Sequence, residues 1–199
     1  MKYILTLLFA LTLLTACSQE KLPVSQNLRD SVLVNSDIFT ILYSEKFEQP
    51  IWIKYNVKCP SGTALRTGMD FYANDSIHTS DNADYANNEY DKGHLAPAAS
   101  FNCTREMLYK TFTYLNCSLQ NQYLNRGVWR LLETRERELA KIYNVSVFIR
   151  VEFSRLTLIT GARVPLSYHK QITYNGKTEC YFFKNERPAS SKVSDYICK

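Results

Sequence analysis

Alternating apolar and polar positions predict the first strands of this chain. "IFTILYS" (38–44) and "PIWIKYNV" (50–57) set aromatic or β-branched residues against polar ones with a period of two, the pattern of half-buried strands. A run rich in Gly, Asn, Asp and Ser follows (61–93) and reads as a long ordered loop, a length that usually carries function. "TREMLYKTF" (104–112) predicts a short helix with Thr104 as its N-cap, and "YLNCS" (114–118) a short strand. The best helix covers 124–144, with Val128, Leu131, Leu132 and Leu139 as its apolar stripe and Trp129 as a core residue. Its charged remainder, Glu133 with Arg137 and Glu136 with Arg135 and Arg137, reads as exposed pairs of little energetic weight. "RLTLITG" (155–161) predicts a buried strand, and Asn175-Gly176 between two alternating runs predicts a hairpin. Strands and helices in this irregular order point to one α+β domain with a mainly antiparallel sheet flanked by helices.

The first residues follow a different rule. After Lys2, the apolar run Ile4 to Ala16 is too short to span a bilayer, which takes about 20 residues, and fits the core of an export signal. "LTAC" (14–17) resembles a bacterial lipoprotein cleavage site with Cys17 as the lipidated residue. The expected organisation is a signal peptide (1–16), a polar tether (17–36) and a folded domain (37–199). The expected location is the cell envelope, lipid-anchored at the outer membrane or cell surface; without the anchor the product is periplasmic or secreted.

An apolar share of 45% with 13% aromatics excludes a disordered chain. The formal charge of +5 matters less than its distribution. From Phe101 to Lys170, eleven basic residues stand against five glutamates, a bias that suits a polyanionic partner. Beyond Cys17 there are five cysteines, an odd number, with no zinc-like spacing. Cys180 with Cys198 is one candidate bridge and Cys103 with Cys117 another; the sequence alone does not assign them. Four N-x-S/T sequons occur, at Asn74, Asn102, Asn116 and Asn144.

Three blocks carry the chemistry: "DKGH" (91–94), "YLNCSLQNQYLNRGVW" (114–129), and Glu133 on the long helix. Phosphodiester hydrolysis needs a base for water, a cation for the phosphate charge, and positioning groups. The imidazole of His94, titrating near 6.5 when unperturbed, can be the base. Hard cations such as Mg²⁺ take oxygen ligands and keep several waters, so one or two side-chain oxygens are enough. Asn116, Gln120, Asn121, Gln122 and Asn125 offer neutral amides that do not repel a phosphate.

In these residues the chain resembles the DNA/RNA non-specific endonuclease family, the ββα-metal nucleases. Asp91, Lys92, Gly93, His94, Ala96, Pro97, Asn116, Gln120, Leu124, Asn125, Trp129, Leu132 and Glu133 follow the order and similar spacing of the family signature. The likeness extends over residues 39 to 185. It implies a ββα-metal fold, with His94 as general base and Asn125 as the single protein ligand of Mg²⁺, or of Mn²⁺ in its place. Glu133 would hold waters of the ion's shell, and Asn116 and Gln120 would orient the site or the phosphate. Lys92 replaces the usual arginine, a point charge in place of a forked donor, and would still serve catalysis or phosphate binding. A further family arginine has no clear counterpart: Met69 stands at one alignment, with Arg66 nearby. Asp91 is read as accepting turn amides, Gly93 as serving backbone geometry, and Arg126 and Arg130 as flanking the site; His78 and His169 receive no role. The implied product ends are a 5′-phosphate and a 3′-hydroxyl, with DNA and RNA as substrates. The partners are thus nucleic acid and, through Cys17, a membrane; a homodimer stays open. Two alternatives are a weakened nuclease scaffold kept as a nucleic-acid-binding surface module, and a small-molecule phosphoesterase.

Overall fold

The computed structural model describes residues 28–198, so the expected signal peptide and Cys17 lie outside the described residues. A six-stranded antiparallel sheet in the order β1-β2-β3-β6-β7-β8 forms the scaffold. Its strands are β1 (Val32–Asn35), β2 (Phe39–Ser44), β3 (Gln49–Asn56), β6 (Ser146–Thr157), β7 (Arg163–Tyr174) and β8 (Lys177–Lys184). β1 takes in residues expected to belong to the tether, pairing Leu33 with Leu42 and Val34 with Ile41, so the sheet begins earlier than residue 37. A separate two-stranded ladder, β4 (Tyr90–His94) with β5 (Cys117–Asn121), is followed by α2 (Gln122–Leu124) and α3 (Arg130–Ala140). The helix α1 (Arg105–Lys110) starts at Thr104, whose side chain caps the amide of Met107. One core joins these parts: Ile41, Ile53, Val147, Ile149 and Tyr168 from the sheet meet Leu95, Leu124, Trp129 and Leu132 from the ββα segment.

The predicted hairpin is present. Asn175 (φ 46°) and Gly176 (φ 70°) both have positive φ, the type I′ geometry that matches strand twist and that glycine adopts without cost. Other expectations are corrected. Residues 90–94 are strand, not loop, because β5 supplies their partners. "YLN" (114–116) is a 3₁₀ turn capped by Thr113, and the strand starts only at Cys117. The long helix is broken: Asn125–Trp129 is a wide π-type turn with non-helical Gly127 between α2 and α3. That break resets the buried face, so Leu124, Val128, Trp129 and Leu132 are buried while Leu131 is 42% exposed. "RLTLITG" is the exposed end of β6 and its loop, with Leu156 and Ile159 in solvent. Glu136 is not a surface residue. It is fully buried with Lys170 at 2.6 Å and accepts the Tyr55 hydroxyl at 2.8 Å. Cys59 bridges Cys103 and Cys180 bridges Cys198, whereas Cys117 is free and buried beside the Tyr85 hydroxyl. The candidate pair Cys103–Cys117 is therefore overturned, since β5 carries the Cys117 side chain into the interior.

The polar stretch 57–89 is held down by side chains. Arg29 ties Glu45 to the carbonyl of Ser76, and His78 pairs with Glu48 at 2.9 Å. The bridge from Cys59 to Cys103 ties its start to the turn just before α1.

Candidate active site

β4 and β5 run antiparallel with Asp91 opposite Gln120, Gly93 opposite Ser118 and His94 opposite Cys117. The ladder is extended past its end by a side chain. Asn116 accepts from the Ala96 amide at 2.8 Å and donates to the carbonyls of Ala96 and Thr111, both at 2.9 Å. All its polar atoms are used and it is fully buried, so it fixes the turn after His94 and cannot touch a phosphate. The same burial closes its sequon to a glycan. Gln120 is also fully buried, and its side chain lies 2.6 Å from where a Cβ on residue 93 would stand. Gly93 is thus required by close approach rather than by backbone angle, and Gln120 has no path to substrate in this arrangement.

His94, Lys92, Asn125 and Glu133 are brought together around one cleft of about 620 Å³, together with Arg66, Asp91, Arg126, Arg130 and Arg137. Five cationic side chains therefore stand against two carboxylates in its wall, a field that favours an anion. The His94 ring is packed against Phe71 (4.7 Å) and edge-on to Phe112 (4.8 Å). Its Nε2 has no hydrogen-bond partner among the described residues. Burial, with Arg66 adding to it, pushes the imidazole down to about 3, so the ring is neutral throughout the neutral range. The value lies below the ordinary 6.5 of a free imidazole, and Arg66 lines the same cleft as the histidine.

Asn125 donates its amide N–H to Asp91 Oδ2 at 2.9 Å, which leaves the carboxamide oxygen as its ligating atom. Asp91 is not holding turn amides. It accepts Arg126 through Nε (2.8 Å) and Nη2 (2.5 Å) besides Asn125, and so orients both. Only the fold could reveal that role, because the three residues are 34 and 35 positions apart. Burial pushes the Glu133 carboxyl up to about 7; Lys170 and Arg137 pull it down while Glu136 pushes it up. Lys92 reaches Asp70 at 3.1 Å and Asn82, and lies over the Phe71 and Tyr114 rings. Its ammonium is held by these partners at the edge of the cleft. Among the described residues no group of three or more His, Cys, Asp and Glu could chelate a metal. The donor set fits instead a hydrated hard cation touching one amide oxygen, with a carboxylate nearby.

Mitochondrial endonuclease G of Bos taurus is 29% identical over 110 residues, 53% of this chain and 37% of that protein. Mitochondrial nuclease EXOG of Danio rerio is 29% identical over 140 residues, 68% of this chain and 37% of the relative. This chain thus spans a little over a third of the length of these curated relatives. A crystal structure of an EndoG/EndoGI complex, concerned with EndoG inhibition, superposes with a TM-score of 0.75 at 22% identity, covering 84% of this chain and 80% of that one. Its likeness shows the fold, that of a ββα-metal nuclease. The family description "DNA/RNA non-specific endonuclease" matches residues 20–198, nearly the whole sequence, and the chain belongs to that family.

Proposed function

We propose that this protein is an exported, Mg²⁺-dependent endonuclease that hydrolyses phosphodiester bonds of both DNA and RNA. The observation that carries this reading is the convergence of an unpartnered, neutral His94 and an Asp91-oriented Asn125 on one cationic cleft. Asn125 would hold the ion through its carboxamide oxygen, and Glu133 would face the water around it. Bound Mg²⁺ supplies positive charge that offsets the negative charge developing on the phosphoryl and departing oxygens. His94 Nε2 takes a proton from the attacking water as its oxygen bonds to phosphorus. The bond to the 3′ oxygen breaks on the opposite side, and that oxygen takes a proton from bulk water to become the 3′-hydroxyl, leaving a 5′-phosphate, while His94 returns its proton to solvent. Arg66, beside the imidazole, and Arg130 and Arg137 along the cleft wall meet the phosphate chain; they read charge and not base edges, so sequence preference is low.

Purified protein is incubated with plasmid in Mg²⁺ or in EDTA. Wild type nicks and degrades plasmid only with Mg²⁺, and both His94→Ala and Asn125→Ala lose at least about a hundredfold in rate. Full-length plasmid in every lane would refute the enzyme and leave the nucleic-acid-binding module. The two disulfides support export, since such bonds persist in oxidising compartments. Lipidation at Cys17 is tested separately: Cys17→Ser releases the protein from membranes, and unchanged fractionation overturns the anchor.

A further inference from the structure

Next to the cleft, on the other side of Arg130, lies a shallower groove of about 270 Å³. It is lined by Tyr123, Gly127, Arg130, Leu131, Arg187 and Ser190 among others, and none of its lining residues is acidic. Arg130 lines both hollows, so the two adjoin. The segment after β8 forms the far wall. Asn185 fastens it to β5 and β7, donating to the carbonyls of Leu119 and Pro165 and accepting the amide of Asn121. That fastening brings the Arg187 guanidinium 4.2 Å from the centroid of the Tyr123 ring. Tyr123 remains 47% exposed despite its size, and the side chain of Arg187 has no carboxylate partner among the described residues. A half-exposed aromatic ring with Arg187 over one face, and Arg130 lining the same groove, matches a chain of alternating planar rings and negative charges.

We propose that this groove is a nucleotide subsite for single-stranded nucleic acid, in which Tyr123 stacks on a base through the face that Arg187 does not cover and Arg187 meets a neighbouring phosphate. The inference rests on the nuclease reading above, and extends it to a strand held beyond the scissile phosphate.

The test compares the whole protein with Tyr123→Ala, Tyr123→Phe and Arg187→Ala on two substrates. One is a single strand of roughly 16 nucleotides, long enough to fill such a site. The other is bis(p-nitrophenyl) phosphate, which is too small to reach from the cleft into the groove. Tyr123→Ala lowers kcat/KM on the strand by about tenfold, mainly through KM, while Tyr123→Phe keeps the wild-type value because it keeps the ring. Turnover of the small ester is unchanged in both. Arg187→Ala lessens the salt dependence of strand binding by about one phosphate contact. Equal cleavage of the strand by Tyr123→Ala and wild type overturns the subsite, as does an equal loss on both substrates. If wild type cleaves neither substrate, the nuclease reading fails by itself. Fluorescence anisotropy of the labelled strand then decides the subsite: weaker binding by Tyr123→Ala sustains it and unchanged binding ends it.

Discussion

Asp91 accepts two arginine N–H groups and one asparagine N–H, so its carboxylate decides which way the Asn125 oxygen points. Outer groups of this kind commonly govern metal affinity or activity by about 10–100-fold. Asp91→Ala is therefore expected to raise the Mg²⁺ concentration needed for half-maximal activity by about that factor, measured by titrating Mg²⁺ at saturating DNA. His94 makes a prediction about stability. Its folded value of about 3 lies below the ordinary 6.5, so as pH falls below 6.5 the unfolded chain binds a proton that the folded protein refuses. Stability is thus lost progressively from pH 6.5 toward 3. Glu133, raised to about 7, works in the opposite direction between 4.5 and 7, because there the folded state binds the extra proton. Urea unfolding of metal-free His94→Gln should consequently show a shallower acid loss than wild type; identical slopes would contradict a buried neutral imidazole.

At the scale of elements, the π-type turn at Asn125–Trp129 and the buried ion pair under α3 matter most. The turn lets Asn125 and Glu133, eight residues apart, line one cleft while Trp129 and Leu132 enter the core. Beneath α3, Lys170 from β7 joins Glu136 and lies 4.3 Å from the Trp129 ring centroid. Removing one partner of such a pair leaves a charge buried without compensation, typically about 3–5 kcal/mol. Lys170→Met should destabilise by that order in chemical denaturation, and adding Glu136→Leu should recover part of it, since the lone carboxylate is then gone. Much of this was illegible in the sequence. Glu136 sits among Arg135, Arg137 and Glu138, and its charge pattern is that of a solvated face; only the crossing of β7 under the helix shows otherwise. Asn175-Gly176 and Thr104 were legible because a turn or a cap needs only its own neighbours.

Across the whole molecule, two disulfides and a six-stranded sheet carry a small ββα unit whose cleft is lined by five cationic side chains. The Cys59–Cys103 bridge closes a loop of 44 residues and fixes the start of the segment that contributes Arg66. Its reduction should cost about 2–4 kcal/mol by loop closure and lower nuclease activity; Cys59→Ser/Cys103→Ser read by thermal unfolding and plasmid cleavage checks both. Glu179 links α3 to β8 through Arg135, Tyr174 and Tyr181, and these bonds hold its carboxyl down at about 2. By itself the sequence determined the class of fold, the strands β2 and β3 and the β7–β8 hairpin, and it singled out His94, Asn125 and Glu133 as candidates, because these rest on local periodicity and on motif order. Only the tertiary structure decided which amides are sealed, as with Asn116 and Gln120, which cysteines meet, and that Asp91 aims Asn125. Those outcomes depend on residues distant in the chain meeting in space, where burial and the geometry of each hydrogen bond set what a side chain is free to do.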